Sequence, residues 1–440
     1  MGNPRKWNRI ALVAMTAMIV GIVAGCSDDD ESGPLNELAK FDSEVVTAWF
    51  DLSLDITATE RLTPPVASRA FAYQGVALYE AVVPGLPTHQ SLVGQLNGLA
   101  TVPQPLNGAT YHWPTVANAA LATVARQLYS ETSPASLGTI DDLEESFEAE
   151  FAPQAGASVF SRSVEHGKAV GNAIYNWAFA DGYFQNHNCA YVPPQGTGLW
   201  VPTPPAFAVA LEPCWGQLRN FVLDQPSTCQ PLPPPPYDEH PQSPFYAEMT
   251  EVYNTTNNLT TAQRDIALFW ADGGGTLTPP GHWFAILNQL ATENEWTLDL
   301  TCEAYAKLGV AVGESFISCW RAKYVHNLLR PVTCLRALFN PTWTSPIGTP
   351  PFPEYTSGHS VQSAAAAQVL TDMFGHMPFD DHTHDASGLA TRSFSSFFDA
   401  ANEAAISRLY GGIHFRSAID DGVQQGICIG EKVSALNFRR

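Results

Sequence analysis

Three short stretches of the chain hold the side chains best suited to chemistry. They are Lys323-Tyr-Val-His-Asn-Leu-Leu-Arg330-Pro331, then Tyr355-Thr356-Ser357-Gly358-His359, then Ser407-Arg408-Leu-Tyr-Gly411-Gly412-Ile-His414. Lys323, Arg330 and Arg408 are cations, Ser357-Gly358 is a turn, and His359 and His414 are rings. An oxyanion site needs this set: fixed positive charge, backbone N–H donors, and a His able to attack or ligate the anion.

The elements that would position these groups can be read from the same stretches. Lys323 and Arg330 lie in an apolar-periodic run that starts near Leu298 and predicts a helix over 298–329. Their spacing puts both cations on one helix face, roughly 10 Å apart along the axis. Pro331 is expected to end that helix at Arg330. Ser357 stands where an N-cap should be, ahead of a helix over 358–374. A helix N-terminus offers unpaired N–H groups and a positive dipole end to an anion. Gly358 lets the backbone approach the anion, and His359 can serve it as acid or base. Gly411-Gly412 breaks the next helix and can turn His414 back towards Arg408.

These stretches resemble the signature of the superfamily that joins vanadium-dependent haloperoxidases with type 2 phosphatidic acid phosphatases: K-x6-R-P, P-S-G-H and S-R-x5-H. Thr356 replaces the usual Pro of the second motif. The likeness to the peroxidase branch extends to Trp320 and Phe352, at positions that are aromatic in chloroperoxidase-type members. Phe269-Trp270-Ala271-Asp272-Gly273, followed by Thr-Pro-Pro, resembles a segment whose Asp orients the Ser-Gly-His histidine, which makes Asp272 the match. Many members carry an Asp four residues after the last His. Here that position is Ala418, and Asp420 and Asp421 are the nearest acids that could support His414.

The resemblance implies a vanadate cofactor. His414 would bind vanadium directly, and Lys323, Arg330, Ser357, Gly358 and Arg408 would hold the oxo groups. His359 and Lys323 would assist the chemistry, with Asp272, Trp320 and Phe352 in support. Hydrogen peroxide, a halide and an organic small molecule would be the partners. A phosphatase would use the same residues otherwise, with His414 forming a phosphohistidine and His359 protonating the leaving oxygen. A surface lipoprotein that only binds an anion is the third reading.

The rest of the chain sets the context. Residues 1–26 resemble a bacterial lipoprotein leader: Arg5, Lys6 and Arg9, an apolar run from Ile10 to Val23, then Cys26. Residues 27–38 read as a flexible tether, 39–240 as an N-terminal helical region, and 241–440 as the C-terminal region that carries the site. The expected place is the cell envelope, with membrane attachment only through lipidated Cys26. A net charge of −21 argues against nucleic acid and anionic membranes as partners. Oligomeric state is left open.

Helical periodicity dominates, so the expected fold is all-α: packed helical bundles with long Pro/Gly-rich loops. Residues 184–242 form a long irregular connection that either covers the site or wraps the surface. Besides Cys26 there are cysteines at 189, 214, 229, 302, 319, 334 and 428, with no zinc-like spacing. In an oxidising compartment Cys189, Cys214 and Cys229 are the expected bridge formers, with pairing undetermined. The cluster His376-Met-Pro-Phe-Asp-Asp-His382-Thr-His384-Asp385 could bind a cation, but reads better as a solvated loop.

Overall fold

The computed structural model describes residues 36–440, so the leader, Cys26 and most of the tether lie outside the described residues. The helices run in order: Glu44–Thr59 (α1), Pro64–Val82 (α2), Trp113–Leu128 (α3), Pro134–Ala155 (α4), Ala157–Phe179 (α5) and the single turn Tyr183–Asn186 (α6). After the long connection come Pro244–Asn257 (α7), Thr261–Phe269 (α8), Thr278–Glu293 (α9), Leu298–His326 (α10) and Pro331–Leu338 (α11). Gly358–Phe374 (α12), Phe397–Tyr410 (α13) and Arg416–Ser434 (α14) complete the set. Between α12 and α13, Phe379–Asp381 (β1) and Arg392–Phe394 (β2) pair antiparallel, with Asp381 opposite Arg392. The fold is all-α apart from this small ribbon. Among the described residues no helix is long and apolar enough to cross a membrane.

Helix α10 is the axis of the fold. From Thr301 to Trp320 only Lys307 escapes full burial. A helix buried on every face must be surrounded by others. α2 lies along it and is itself buried from Ala67 onward. The two approach through glycines. A Cβ on Gly75 would stand 2.5 Å from the Tyr305 carbonyl oxygen, and one on Gly309 would stand 3.0 Å from Ala72 Cα. α12 and α14 meet in the same way at Gly426, where a Cβ would be 2.2 Å from the Val361 carbonyl oxygen. α2 belongs to the first half of the chain and α10 to the second, so packing runs across residue 240.

One expectation needs correction. α10 ends at His326, short of Arg330, because Asn327 adopts the left-handed conformation with φ 47°. Asn tolerates that region better than most residues and ends helices there. Arg330 is instead the N-cap of α11, and Pro331 opens that helix rather than closing the previous one. Lys323 and Arg330 therefore come from different elements.

The connection over 187–236 braces the site. Trp200 N–H donates to the Asn327 carbonyl at 2.7 Å, Leu329 N–H to Gly198 at 3.0 Å, and Leu211 N–H to Pro351 at 2.9 Å. These bonds hold the two segments that lead to Arg330 and to Ser357. Disulfides Cys189–Cys214 and Cys229–Cys428 pin the connection to itself and to α14. Cys302, Cys319 and Cys334 are free and buried.

Candidate active site

Lys323, near the end of α10, is fully buried and points its Nζ into the turn before α12. It donates to the carbonyls of Pro353 at 3.2 Å, Glu354 at 2.9 Å and Thr356. Thr356 stands where the related motif has Pro, yet its carbonyl still takes Lys323, and its hydroxyl donates to Gln425 at 2.8 Å. Arg330 donates from Nε to Phe352 and from Nη1 to Ile413, both carbonyls at 2.8 Å. Arg408, on α13, donates from Nη1 to the Trp270 carbonyl. Ser357 caps α12 by accepting from Ser360 N–H at 3.3 Å, and Gly358 opens the helix. The structure thus gathers Lys323, Arg330, Ser357, Gly358, His359, Arg408 and His414 from α10, α11, α12, α13 and the turn after it.

The two rings can be assigned tautomers, because arginine only donates. His414 Nε2 lies 3.2 Å from Arg330 Nη1 and so accepts. Its Nδ1 then carries the proton and donates to Glu354 Oε1 at 2.7 Å. His359 Nε2 accepts from Arg408 Nη1 at 2.8 Å, and the Trp270 backbone also bonds this ring. His414 is 3% exposed, whereas His359 and Gly358 are half-buried, so solvent reaches the cage from their side.

Glu354 is the residue that sequence reasoning missed. It is fully buried and supports His414 in place of either expected aspartate. Phe415 N–H donates to the same Oε1 at 2.8 Å. Asp420 faces Arg416 at 4.0 Å near the surface, and Asp421 accepts from the Tyr355 hydroxyl at 2.9 Å. Neither reaches His414. A lone acid three residues before Ser-Gly-His, in an otherwise apolar turn, was the available signal.

Asp272 also has different partners from those expected. Its carboxylate bonds His282 Nδ1 at 2.9 Å and His384 Nε2 at 3.1 Å rather than the His359 ring, which it influences only through charge. The cluster at 376–385 divides accordingly. Asp381 and His384 turn inward, while His376, Asp380, His382 and Asp385 are exposed. Trp320 and Phe352 pack together at 4.9 Å and line the cations. Lys323 Nζ lies 5.1 Å and Arg330 Cζ 4.8 Å from the Phe352 ring centre. Trp320 also covers Gly358 and borders a cavity of about 740 Å³ shared with Arg219, Arg321 and Tyr324.

The electrostatics describe a dry, crowded cage. Burial pushes Lys323 down to about 8, and Arg330 and Arg408 down to about 10. Burial and then the neighbouring cations hold His359 and His414 neutral, well below the usual histidine range. Burial pushes Glu354 up to about 8 against the opposing pull of Arg330 and Lys323. Two buried cationic N–H groups, Arg330 Nη2 and Arg408 Nε, have no partner among the described residues. Buried donors are ordinarily paired. A tetrahedral oxyanion would satisfy both and relieve the repulsion among three cations, so the residues present fit vanadate.

Comparison with known proteins agrees. The family model described as the VCPO second helical-bundle domain matches residues 303–439. No curated protein matches the chain. Among solved structures, a bacterial vanadium-dependent iodoperoxidase is 38% identical with a TM-score of 0.83, covering 92% of this chain and 97% of that one. Bacterial vanadium-dependent chloroperoxidase shares the fold in its apo form, at 16% identity and a TM-score of 0.67 over 85% of this chain and 94% of that one. Its holo form does so at 16% and 0.66, over 92% and 94%. With the motif residues gathered around one cage and the likeness to the iodoperoxidase running nearly end to end, the chain belongs to the vanadium-dependent haloperoxidase family.

Proposed function

We propose that this chain is a vanadate-dependent haloperoxidase that uses hydrogen peroxide to oxidise a halide, iodide foremost, to a hypohalous-acid equivalent that halogenates organic compounds. The observation that carries this reading is the His414 ring: Nδ1–H is tied to Glu354, the Nε2 lone pair meets Arg330 Nη1, and Lys323 and Arg408 act on the ring through their charge. Iodide is named because the 38% identical structure is an iodoperoxidase.

Vanadate would be held by His414 Nε2, by Lys323, Arg330 and Arg408, by the Ser357 hydroxyl and by the Gly358 N–H. Bound there, it would supply a Lewis-acid centre that activates peroxide towards halide without redox change. The protein's part is to hold charge and move protons. Lys323, Arg330 and Arg408 neutralise the anion in a site with little water, where each contact counts for more than in solvent. His359, neutral and half-buried beside Arg408, would serve as acid–base towards incoming peroxide once an anion draws Arg408 away from its Nε2. Lys323, whose ammonium is held by the Pro353, Glu354 and Thr356 carbonyls, acts on the cage through its charge, which reaches the His414 ring. Trp320 and Phe352 wall the cage with aromatic surface. Export and lipid anchoring through Cys26 complete the proposal, supported by two disulfides that belong in an oxidising compartment.

The test is iodide oxidation by the purified mature chain, stripped of vanadate and then reconstituted, run beside hydrolysis of p-nitrophenyl phosphate. Vanadate-dependent oxidation that disappears in His414→Ala is expected. Phosphate hydrolysis blocked by vanadate, without halide oxidation, would establish a phosphatase instead. Vanadate binding with neither activity would leave an anion-binding protein.

A further inference from the structure

His282, on α9, is completely buried, and both of its ring nitrogens face carboxylates. Nδ1 lies 2.9 Å from Asp272 Oδ2 and Nε2 lies 2.9 Å from Asp381 Oδ2. A neutral imidazole has one N–H and would leave one buried carboxylate facing a lone pair. Two ionised carboxylates at hydrogen-bond distance therefore require the imidazolium. Burial works against the charge, but Asp272 and Asp381 outweigh it and push His282 up to about 10. His384 Nε2 approaches the other Asp272 oxygen, Oδ1, at 3.1 Å. One ligand atom from each of Asp272, His282 and His384 lies within 4.8 Å of the others, a spacing that a metal ion could also occupy; the contacts themselves are hydrogen bonds, each imidazole on its own Asp272 oxygen.

The same ring supports the segment beside the cage. Trp270 stacks on His282 with centroids 4.4 Å apart and planes 20° apart. The Trp270 carbonyl is the backbone acceptor shared by Arg408 and His359. We propose that His282, gripped by Asp272 and Asp381, is a permanently charged clamp that fixes the Trp270–Asp272 segment, and that through the Trp270 carbonyl it positions Arg408 and His359 for the anion. This rests on the haloperoxidase reading for its purpose, but not for its chemistry. His282, Asp272 and Asp381 are positioning residues.

The charged groups around the ring are few. Asp272, Asp381 and His384 touch it or each other. Arg408 on α13 and His359 on α12 lie beyond Asp272, and Glu403 with its partner Arg392 borders the far edge of Trp270. Asp381→Asn is the informative variant, since it removes one carboxylate and keeps the Asp272 pair. Histidine ring ¹⁵N spectra of the full mature protein, recorded from pH 6 to 9, report protonation directly. His282→Gln identifies the signal; if it fails to fold, displacement in Asp381→Asn identifies it instead.

In the wild type the ring should keep both nitrogens protonated throughout, and in Asp381→Asn it should lose a proton within the range. Vanadate affinity of Asp381→Asn should then fall, beyond the wild type's own pH dependence, with the same midpoint as that ring. A merely structural role would lower affinity without a shared midpoint. A neutral His282 at pH 7 overturns the proposal. So does a ring signal that moves on adding Zn²⁺ to chelator-treated protein, or a vanadate affinity indifferent to the ring's titration. Absence of halide oxidation would sink the functional reading while leaving these readouts intact.

Discussion

Glu354→Ala is the sharpest perturbation of the His414 ring. It removes the one acceptor shared by His414 Nδ1–H and Phe415 N–H, at 2.7 and 2.8 Å, in a fully buried place. An orphaned buried donor costs about 1–3 kcal/mol. His414 can avoid that cost by moving its proton to Nε2, but the lone pair then no longer faces the cage. Either route weakens the bond to an anion. Loss of the group that orients a metal-binding histidine ordinarily costs about 10–100-fold in affinity or activity, which is about 1.4–2.8 kcal/mol. Glu354→Gln keeps an acceptor oxygen for both N–H groups, so its loss should be tenfold at most. The assay is calorimetric titration of each variant with orthovanadate, with thermal unfolding to confirm the fold. Wild-type vanadate affinity in Glu354→Ala would refute the reasoning, and so would equal losses in both variants.

Other expectations follow from particular contacts. Because burial holds Lys323 near 8 against an ordinary 10.5, the cage lacks part of that charge above pH 8. A bound anion restores it, so vanadate binding at pH 9 should take up more protons than at pH 7. Lys323→Arg, which stays charged, should lack that increment in calorimetry across buffers of different ionisation enthalpy. Gly426→Ala would press a methyl group against the Val361 carbonyl, 2.2 Å from where its Cβ must stand, and should destabilise by about 1–3 kcal/mol or more in denaturant melts. The double variant Cys229→Ser/Cys428→Ser opens a crosslink spanning 199 residues and should lose about 2–4 kcal/mol, read as a lowered Tm.

The sequence was most informative where function lies in short local patterns. Ser357 followed by Gly358 and an Ala-rich run announces a capped helix, and the structure has one. Gly411-Gly412 announces a break, and α13 ends at Tyr410 with Gly412 in the left-handed region, at φ 68°. Tertiary partners were not legible. Glu354 reaches His414 across sixty residues, and no periodicity encodes that meeting. Asp272 was noticed, but its partners lie ten residues away at His282 and on the loop at His384, brought together only when α9 and the β1 ribbon pack. The end of α10 was misplaced because a left-handed Asn327 is a choice made by the surrounding chain, where Trp200 N–H takes the Asn327 carbonyl. Helix α11 escaped notice because Pro331 reads equally well as the end of one helix or the start of another.

The most direct test of the account is a crystal of the protein soaked in orthovanadate, with anomalous scattering recorded at the vanadium edge. The account predicts one strong peak in bonding contact with His414 Nε2, its oxygens meeting Lys323, Arg330, Arg408 and the N–H of Gly358. A peak held only by the cations, with His414 unbonded, or a peak elsewhere in the chain, would contradict it.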